Sequence, residues 1–208
     1  MKKIGKIIYW LVLGFLGFCL LLSFSMDHIV VYGASMEPTL FEYEVALSDK
    51  YLYKLFGIDR FDIVVINNVD LTNNEDESLL IKRVIGLPGE KITYEDSKLY
   101  INDEYVAESF IDDDAKTATA SVYAPGLTNH LSEGSVTLGT DEYFVMGDNR
   151  TNSYDSRFFT KAVTLDMIVS KGLIIYGNYD SCSAVTLSDG VSVECTGYNF
   201  IWPEFIGW

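Results

Sequence analysis

The sequence predicts a mostly β domain that follows one N-terminal membrane-spanning helix. The helix is predicted by an uncharged apolar run from Ile7 to Phe24. The β domain is predicted by short runs of β-branched and aromatic residues after residue 27, separated by Gly, Asn, Asp and Pro. Beyond the apolar run, only the stretch from Asp49 to Gly57 has a weak helical pattern, so strands dominate the expected fold.

The apolar run is close to the roughly 20 residues that a helix needs to cross a hydrocarbon core. Lysines precede the run and none follows it directly, which predicts a cytoplasmic tail over residues 1–6 and an extracytoplasmic chain from residue 27 onward. A cleaved secretory signal is the alternative, since Ser23–Ser25 offers a small-x-small site. The run is longer than the usual apolar core of a signal peptide, about 7–15 residues, which favours a retained anchor over residues 7–25.

The chain is strongly acidic outside the anchor. It has 30 Asp and Glu residues against 15 Lys and Arg residues, a formal net charge of −15 at pH 7, and every acidic residue follows the anchor. Such a surface repels the phosphates of nucleic acids, so nucleic-acid binding is not expected. The charge argues for solubility of the outer domain and points to no particular partner.

The predicted strands have the order EVALS, FDIVVIN, LLIKRVIG, KITY, KLYIND and EYFVMGD. The later segment MIVSKGLIIYG is read either as two strands or as one strand bent at Gly172. Two polar stretches, Asn67–Ser78 and residues 107–134, are expected to be exposed loops. The Asp112–Asp114 cluster lacks the spaced ligands and the glycine of a calcium loop, so no calcium site is expected there.

The three cysteines fall into two groups. Cys19 lies inside the apolar run, whereas Cys182 and Cys195 flank a short hairpin-like stretch and can form a disulfide in an oxidising exterior; two free thiols are the alternative. Neither His28 nor His130 neighbours a cysteine, so no zinc pattern is present and we expect no metal and no cofactor. The aromatic tail GYNFIWPEFIGW is expected to pack onto the domain, with contact to the membrane interface as the alternative.

The segment YGASMEPTL places Ser35 in a rigid turn close to the membrane. A serine hydroxyl becomes a useful nucleophile only when a neighbouring base removes its proton. His28 lies beside the anchor and His130 lies in a polar loop, so a Ser-His-Asp triad is disfavoured. Lys82 is the other candidate base, because SLLIKRVIGLPGE embeds it in a β-branched strand where a charged amine is costly and a neutral one is tolerable.

Two features of the sequence leave this hypothesis open. In an alternating strand Lys82 and Arg83 point to opposite faces, so one of them should face the interior. Lys82 could instead lie at a strand edge and extend its amine to water. The segment VMGDNRTNSYDSR, residues 145–157, has the residues of a tight turn held by ion pairs, and a polar loop at a strand end has the same composition.

Three segments, SMEPTL, KRVIGLPGE and GDNRTNSYDSR, follow an N-terminal anchor in this order and together resemble the bacterial type I signal peptidases, of the Gram-positive kind. RFDIVVI stands where that family has a fourth, strand-forming segment. The resemblance covers about residues 7–157 and the later GLIIYG strand. It implies a membrane-anchored serine–lysine protease, whereas the relatives in the endoplasmic reticulum carry histidine where Lys82 stands.

The resemblance also implies roles for individual residues. Ser35 would be the nucleophile, Lys82 its general base, and Ser153 would hydrogen-bond the lysine amine. The residues that would maintain the architecture of the site are Asp148, Arg83, Asp155 and Arg157. Shallow apolar slots for small side chains at positions −1 and −3 of the substrate would be formed by Ile29, Val31, Met36, Leu40 and Ile81.

The oxyanion of the reaction would be bound by the backbone N–H of Ser35. Some members of the family donate a second hydrogen bond through a hydroxyl two residues before the nucleophile. That position is Gly33 here, so a second donor is not identified. About ten residues separate the anchor from Ser35, a reach of at most roughly 35 Å, which keeps the nucleophile near the outer membrane surface.

The resulting domain scheme places a catalytic β core at residues 26–88 and 143–177, with an inserted cap at 89–142 and a C-terminal extension at 178–208. The expected partners are membrane lipid and preproteins that carry signal peptides; no oligomeric state is predicted. A peptidase dedicated to substrates such as pilins is an alternative. A non-catalytic pilus-assembly chaperone would have lost the serine or the lysine, and a self-cleaving regulator would carry a DNA-binding domain in place of the anchor.

Overall fold

The computed structural model describes residues 2–67, 79–96, 98–111, 130–131, 135–187 and 190–206. Most of the predicted polar loop Asn67–Ser78 and the Asp112–Asp114 cluster lie outside these residues. Helix α1 spans Lys2–Ser25, so it includes the tail that the sequence places before the anchor. Within the described chain it is the one helix long and apolar enough to cross a membrane, with a mean hydropathy of 2.4 over its most apolar window.

The rest of the described chain is mostly β structure, as predicted. The strands are β1 Met26–Val30, β2 Glu44–Asp49, β3 Ile63–Asn67, β4 Leu79–Gly86, β5 Lys91–Glu95, β6 Lys98–Ile101, β7 Glu104–Val106, β8 His130–Leu131, β9 Ser135–Thr137, β10 Glu142–Met146, β11 Val163–Thr164, β12 Ile168–Asn178, β13 Ser181–Leu187, β14 Gly190–Thr196 and β15 Asn199–Ile206. A short helix α2, Tyr53–Phe56, occupies the stretch with the weak helical pattern, and a single 3-10 turn spans Leu165–Met167.

Three sheets organise these strands. The main sheet has the order β1-β2-β12-β3-β4-β10-β11, with β15 also paired to β12. A second sheet, β7-β6-β5-β9-β8, is formed within the segment predicted as the inserted cap, and β13 and β14 form a separate hairpin. Strand β3 is buried on both faces from Ile63 to Ile66, which explains its unbroken run of β-branched residues.

The segment that the sequence left as two strands or one bent strand is the single strand β12. Its pairing register with β2 shifts between Lys171 and Ile174, next to Gly172, whose φ is +63°. The shift lets β12 pair first with β3 and then with β15 along one edge. The aromatic tail therefore packs onto the domain, as expected, although Trp202 and Phe205 leave 88% and 70% of their surface exposed.

Helix α1 continues into β1 without a loop. Ser25 Oγ donates to Asp49 Oδ1 at 2.7 Å, and the N–H of Lys50 donates to the Ser25 carbonyl at 2.7 Å. Asp49 also accepts the N–H of Tyr53 at 2.7 Å, and Met26 is its cross-strand partner. The end of the helix is thus fixed to the main sheet, so the first strand begins where the apolar helix ends.

Candidate active site

Ser35 lies in the loop between β1 and β2, and its neighbours hold that loop against the core. Met36 is 1% exposed and Leu40 is fully buried, in a core cluster that also includes Val31. The N–H groups of Thr39 and Leu40 both donate to the Met36 carbonyl, at 2.9 and 3.0 Å. The apolar side chains and this turn fix the backbone on the C-terminal side of the serine.

Strand β4 brings Lys82 to this serine. Lys82 Nζ lies 2.9 Å from Ser35 Oγ and 3.1 Å from the carbonyl oxygen of Ile81, and the lysine is 2% exposed. Burial lowers the pKa of Lys82 to about 8, while the nearby carboxylates of Asp155 and Asp148 oppose that shift. A substantial fraction of the amine is therefore neutral near physiological pH and available to accept a proton. His28 instead places Nδ1 2.7 Å from the hydroxyl of Tyr176.

The loop after β10 supplies the next residues around the pair. Asp155 is fully buried and accepts from Arg157 Nε at 2.8 Å, from the Gly147 N–H at 3.0 Å and from Ser153 Oγ at 2.7 Å. The expected bond between Ser153 and the Lys82 amine is not among the hydrogen bonds of the described residues. Ser153 instead donates its hydroxyl proton to the buried Asp155 carboxylate, while the Lys82 amine donates to Ser35 Oγ and to the Ile81 carbonyl.

Arg83 points to the opposite side of β4 and pairs with Asp148. Its Nε and Nη2 atoms donate to the two carboxylate oxygens at 2.8 and 2.6 Å, and both side chains are buried. Thr39 Oγ1 donates to the same carboxylate at 2.5 Å. The pair therefore ties β4 to the serine loop and to the loop after β10. One of residues 82 and 83 was expected to face the interior, and both are buried.

Sequence reasoning missed two residues that contact the backbone of the serine loop. The N–H of Asn149 donates to the Ser35 carbonyl at 3.1 Å, and its side-chain amide donates to the Ala34 carbonyl at 3.0 Å. A Cβ atom at Gly147 would collide with the Ser35 carbonyl and with Ser153. The sequence predicts a tight turn over the segment that contains both residues, and their spacing carries no sign of the loop that they face.

A buried cluster joins the cap to the same loop. Arg150 donates to the Glu108 carboxylate, to the Tyr94 hydroxyl at 3.1 Å and to the Gly147 carbonyl at 3.0 Å. Tyr94 in turn donates to Glu108 at 2.8 Å, and burial raises the pKa of this tyrosine well above its ordinary value. Glu108 stands in a stretch without any pattern, so the sequence offered no signal for it.

An open cleft of about 830 Å³ runs past Ser35 and Lys82. Four of the five predicted slot residues line it: Ile29, Val31, Met36 and Ile81. Leu40 does not line the cleft; it packs in the core beneath, where its side chain supports the serine loop. The N–H of Gly33 donates to Glu42 Oε1 at 3.2 Å, whereas the N–H of Ser35 has no hydrogen bond among the described residues.

The C-terminal extension touches the edge of this cleft. Cys182 and Cys195 are cross-strand partners in the β13–β14 hairpin and are joined as a disulfide, with their Cα atoms 4.1 Å apart. The hydroxyl of Tyr32, which lines the cleft, lies 3.7 Å from Cys195 Sγ. Within the described residues, no group of three or more His, Cys, Asp and Glu side chains could hold a metal ion.

A serine hydroxyl on a buried lysine amine, in an apolar cleft of a β domain behind an apolar helix, has the arrangement of a serine-type peptidase. Residues 3–177 match the signal peptidase family, peptidase S26. Signal peptidase I V of Bacillus subtilis (strain 168) is 40% identical over 62% of this chain and 73% of its own length. Signal peptidase I T of the same strain is 33% identical over 84% of this chain and 88% of its own.

A crystal structure of a signal peptidase I from Enterococcus faecalis V583 is 30% identical and covers 54% of this chain and 93% of its own, with a TM-score of 0.38. By the family match and the two Bacillus relatives, the chain belongs to the signal peptidase family, peptidase S26, and is of the bacterial type I kind. The resemblance of the three sequence segments is thereby confirmed.

Proposed function

We propose that this protein removes N-terminal signal peptides from secreted preproteins at the outer face of the membrane, with Ser35 as nucleophile and neutral Lys82 as general base. The proposal is carried by one observation, the 2.9 Å approach of a buried lysine amine to the Ser35 hydroxyl within an apolar cleft. A non-catalytic role has no comparable support, because the nucleophile and the base are both present and in contact.

The cleft offers two strand edges for an extended substrate. Strand β1 is at the end of the main sheet as described. Strand β10 pairs with β4 only from Arg83 to Gly86, so the first half of β4 has no strand partner on that side among the described residues. A peptide can add to such edges as an extra strand, with alternate side chains entering pockets. The lining residues Ile29, Val31 and Ile81 would then meet small side chains at positions −1 and −3.

In the proposed acylation step Ser35 Oγ attacks the carbonyl carbon of residue −1, and its proton passes to Lys82 Nζ. The negative charge on the carbonyl oxygen is stabilised by the Ser35 N–H, which is free within the described structure. The protonated lysine then gives its proton to the leaving amine, which frees the mature protein. In the second step Lys82 takes a proton from a water molecule, which attacks the acyl ester. The lysine then returns that proton to Ser35 Oγ as the ester bond breaks, and the signal peptide leaves with a new carboxylate.

The test is cleavage of a preprotein with Ala at positions −1 and −3 by the full chain in detergent micelles. Ser35→Ala and Lys82→Ala are expected to reduce kcat/KM by about a thousandfold or more, because each removes one member of the reacting pair. Lys91→Ala, in the exposed Lys91–Asp103 pair of the cap, is the matched control and should retain wild-type activity. Wild-type rates in either active-site variant would overturn the mechanism.

A further inference from the structure

The cleft extends beyond the catalytic pair to the end of helix α1. Asp27 and Lys50 line it together with Ser35 and Lys82. Asp27 is the second residue of β1, and Lys50 directly follows Asp49, the cross-strand partner of Met26. Val31 lies four residue steps after Asp27 along the extended chain, a distance of about 13 Å at about 3.3 Å per residue. The far end of the cleft therefore lies where the apolar helix ends.

Asp27, Ile29 and Val31 are spaced by two residues and so share one side of the chain. The cross-strand partners of Asp27 and Ile29 are Ser48 and Ala46, which are both fully buried. This side of the chain thus offers three consecutive places for substrate side chains. Val31 and Ile29 form two apolar places, and Asp27 forms a third, charged place next to the helix. An added strand whose side chains alternate in the same way would present three alternate residues to these places.

The direction of the substrate follows from the proposed function, on which this inference rests. A preprotein held in the membrane by its signal segment leads away from the membrane from its N-terminal side to its C-terminal side. Strand β1 follows helix α1 and leads away from the membrane in the same direction. The two segments then run parallel. If residues −1 and −3 occupy the apolar places, residue −5 comes to lie against Asp27 and Lys50.

The chemistry of this third place differs from that of the first two. Lys50 Nζ lies 3.2 Å from Asp27 Oδ2, and the two side chains are 45% and 55% exposed. The N–H of His28 donates to the other carboxylate oxygen of Asp27, whereas the ammonium of Lys50 has donors left for a ligand. A large apolar side chain here would remove water from both charges without replacing its hydrogen bonds, which is unfavourable. An amide or hydroxyl side chain would bond to the pair.

We propose that Asp27 and Lys50 form a subsite that selects a polar residue at position −5 of the substrate. The slot residues implied by the family resemblance are all apolar, and neither Asp27 nor Lys50 is among them.

The test compares two preproteins that are identical, with Ala at −1 and −3, except for Gln or Leu at position −5. These side chains have similar volume and differ in polarity. The wild-type full chain in micelles is expected to cleave the Gln substrate with about tenfold higher kcat/KM, equivalent to about 1.4 kcal/mol. The double variant Asp27→Leu/Lys50→Met is expected to bring this ratio close to one, because it makes the third place apolar while keeping its volume.

The matched control is Lys91→Met/Asp103→Leu, which removes another exposed ion pair, 2.7 Å long and remote from the cleft. It should keep the wild-type ratio. Equal cleavage of the two substrates by the wild type would overturn the proposal without requiring any variant, and so would an unchanged ratio in Asp27→Leu/Lys50→Met. Cleavage of neither substrate by the wild type would instead overturn the proposed function, on which the subsite depends.

Discussion

Two buried lysines of this protein, Lys82 and Lys171, lie in apolar strands and differ in the groups that their amines contact. Lys171 in β12 is 8% exposed and lies 2.7 Å from the buried carboxylate of Asp62. Lys82 in β4 is 2% exposed, and no carboxylate of the described residues lies within ion-pair distance of it. Its amine meets a hydroxyl and a carbonyl oxygen instead.

The difference indicates that burial alone would not suit a lysine to the role proposed for Lys82. A buried ammonium with a carboxylate partner keeps its charge compensated, whereas one without such a partner is stabilised by losing its proton. Burial accordingly lowers the pKa of Lys82 to about 8. The absence of a direct carboxylate partner is therefore as much a part of the candidate site as the lysine itself.

The largest effect is expected from Lys82→Met, which removes the amine and keeps the side chain's approximate volume. The activity should fall by about a thousandfold or more, because no other described base contacts Ser35. The folded state should be at least as stable as that of the wild type at pH 7, because the costly buried amine is gone. Initial rates and urea unfolding at pH 7 measure the two quantities. A variant that loses activity only because it unfolds would contradict the comparison.

The second effect is expected from Lys171→Met, with the opposite pattern. This change leaves the Asp62 carboxylate buried without its partner, and breaking a buried pair costs about 3–5 kcal/mol. The free energy of unfolding should fall by that amount, while the folded fraction keeps its kcat/KM.

Asp62→Asn/Lys171→Met is the control for that change, since it also removes the stranded charge and should recover part of the loss. Urea denaturation of the three variants distinguishes the cases. If Lys171→Met instead abolished the activity of fully folded protein, Lys171 would belong to the chemistry and the comparison would fail.

The sequence alone predicts that both lysines lie in apolar strands, but it does not predict which of them has a carboxylate partner. The segments LLIKRVIG and MIVSKGLIIYG look alike, each a lysine within β-branched residues. What separates them is Asp62, which faces Lys171 because β3 pairs with β12. The strand context made Lys82 a candidate base, and the resemblance to a family of peptidases then implied that role. Local patterns predicted the strands well, because alternation and turn residues are properties of neighbouring positions.

The sequence could not predict the contacts between distant segments, because such contacts depend on how the elements pack and not on neighbouring positions. Glu108 and Tyr94 belong to the cap, and they contact Arg150 where the cap packs against the loop after β10. The hydroxyl of Ser153 donates to Asp155, two residues further along the chain, and the spacing alone does not show whether it turns toward this carboxylate or toward Lys82. Leu40 was expected in the cleft because it matches a motif, and the fold places it one layer deeper.

The third effect concerns pH. A base must be neutral to accept a proton, so kcat/KM should rise with pH through an apparent pKa of about 8. The same group affects stability: its pKa is about 8 when folded and near its ordinary value of 10.5 when unfolded, so the unfolded state binds more protons between these values. Relative to Lys82→Met, the wild type should gain about 3 kcal/mol of stability between pH 8 and about 10.5.

Below pH 8 the difference between wild type and Lys82→Met should be nearly constant, since the lysine is charged in both states. Urea unfolding of the two proteins across this pH range gives the difference directly. A flat difference up to pH 10.5 would mean that burial does not lower the pKa of Lys82 in the folded protein, and the proposed neutral base would lose its support.

The smallest effect is expected at Arg150, a third buried cation, whose carboxylate partner comes from the cap. Glu108→Gln keeps a hydrogen-bond acceptor for Arg150 and Tyr94 but removes the charge, which should cost roughly 2 kcal/mol of stability. Arg150 also donates to the Gly147 carbonyl, and the N–H of Asn149 donates to the Ser35 carbonyl. A shift of Arg150 should therefore displace Ser35, the proposed nucleophile, and lower kcat while KM stays unchanged. Glu104→Gln, on the exposed strand β7 of the same cap, is the control. A fall in stability without any change in kcat would show that this cluster joins the cap to the core and does nothing to orient Ser35.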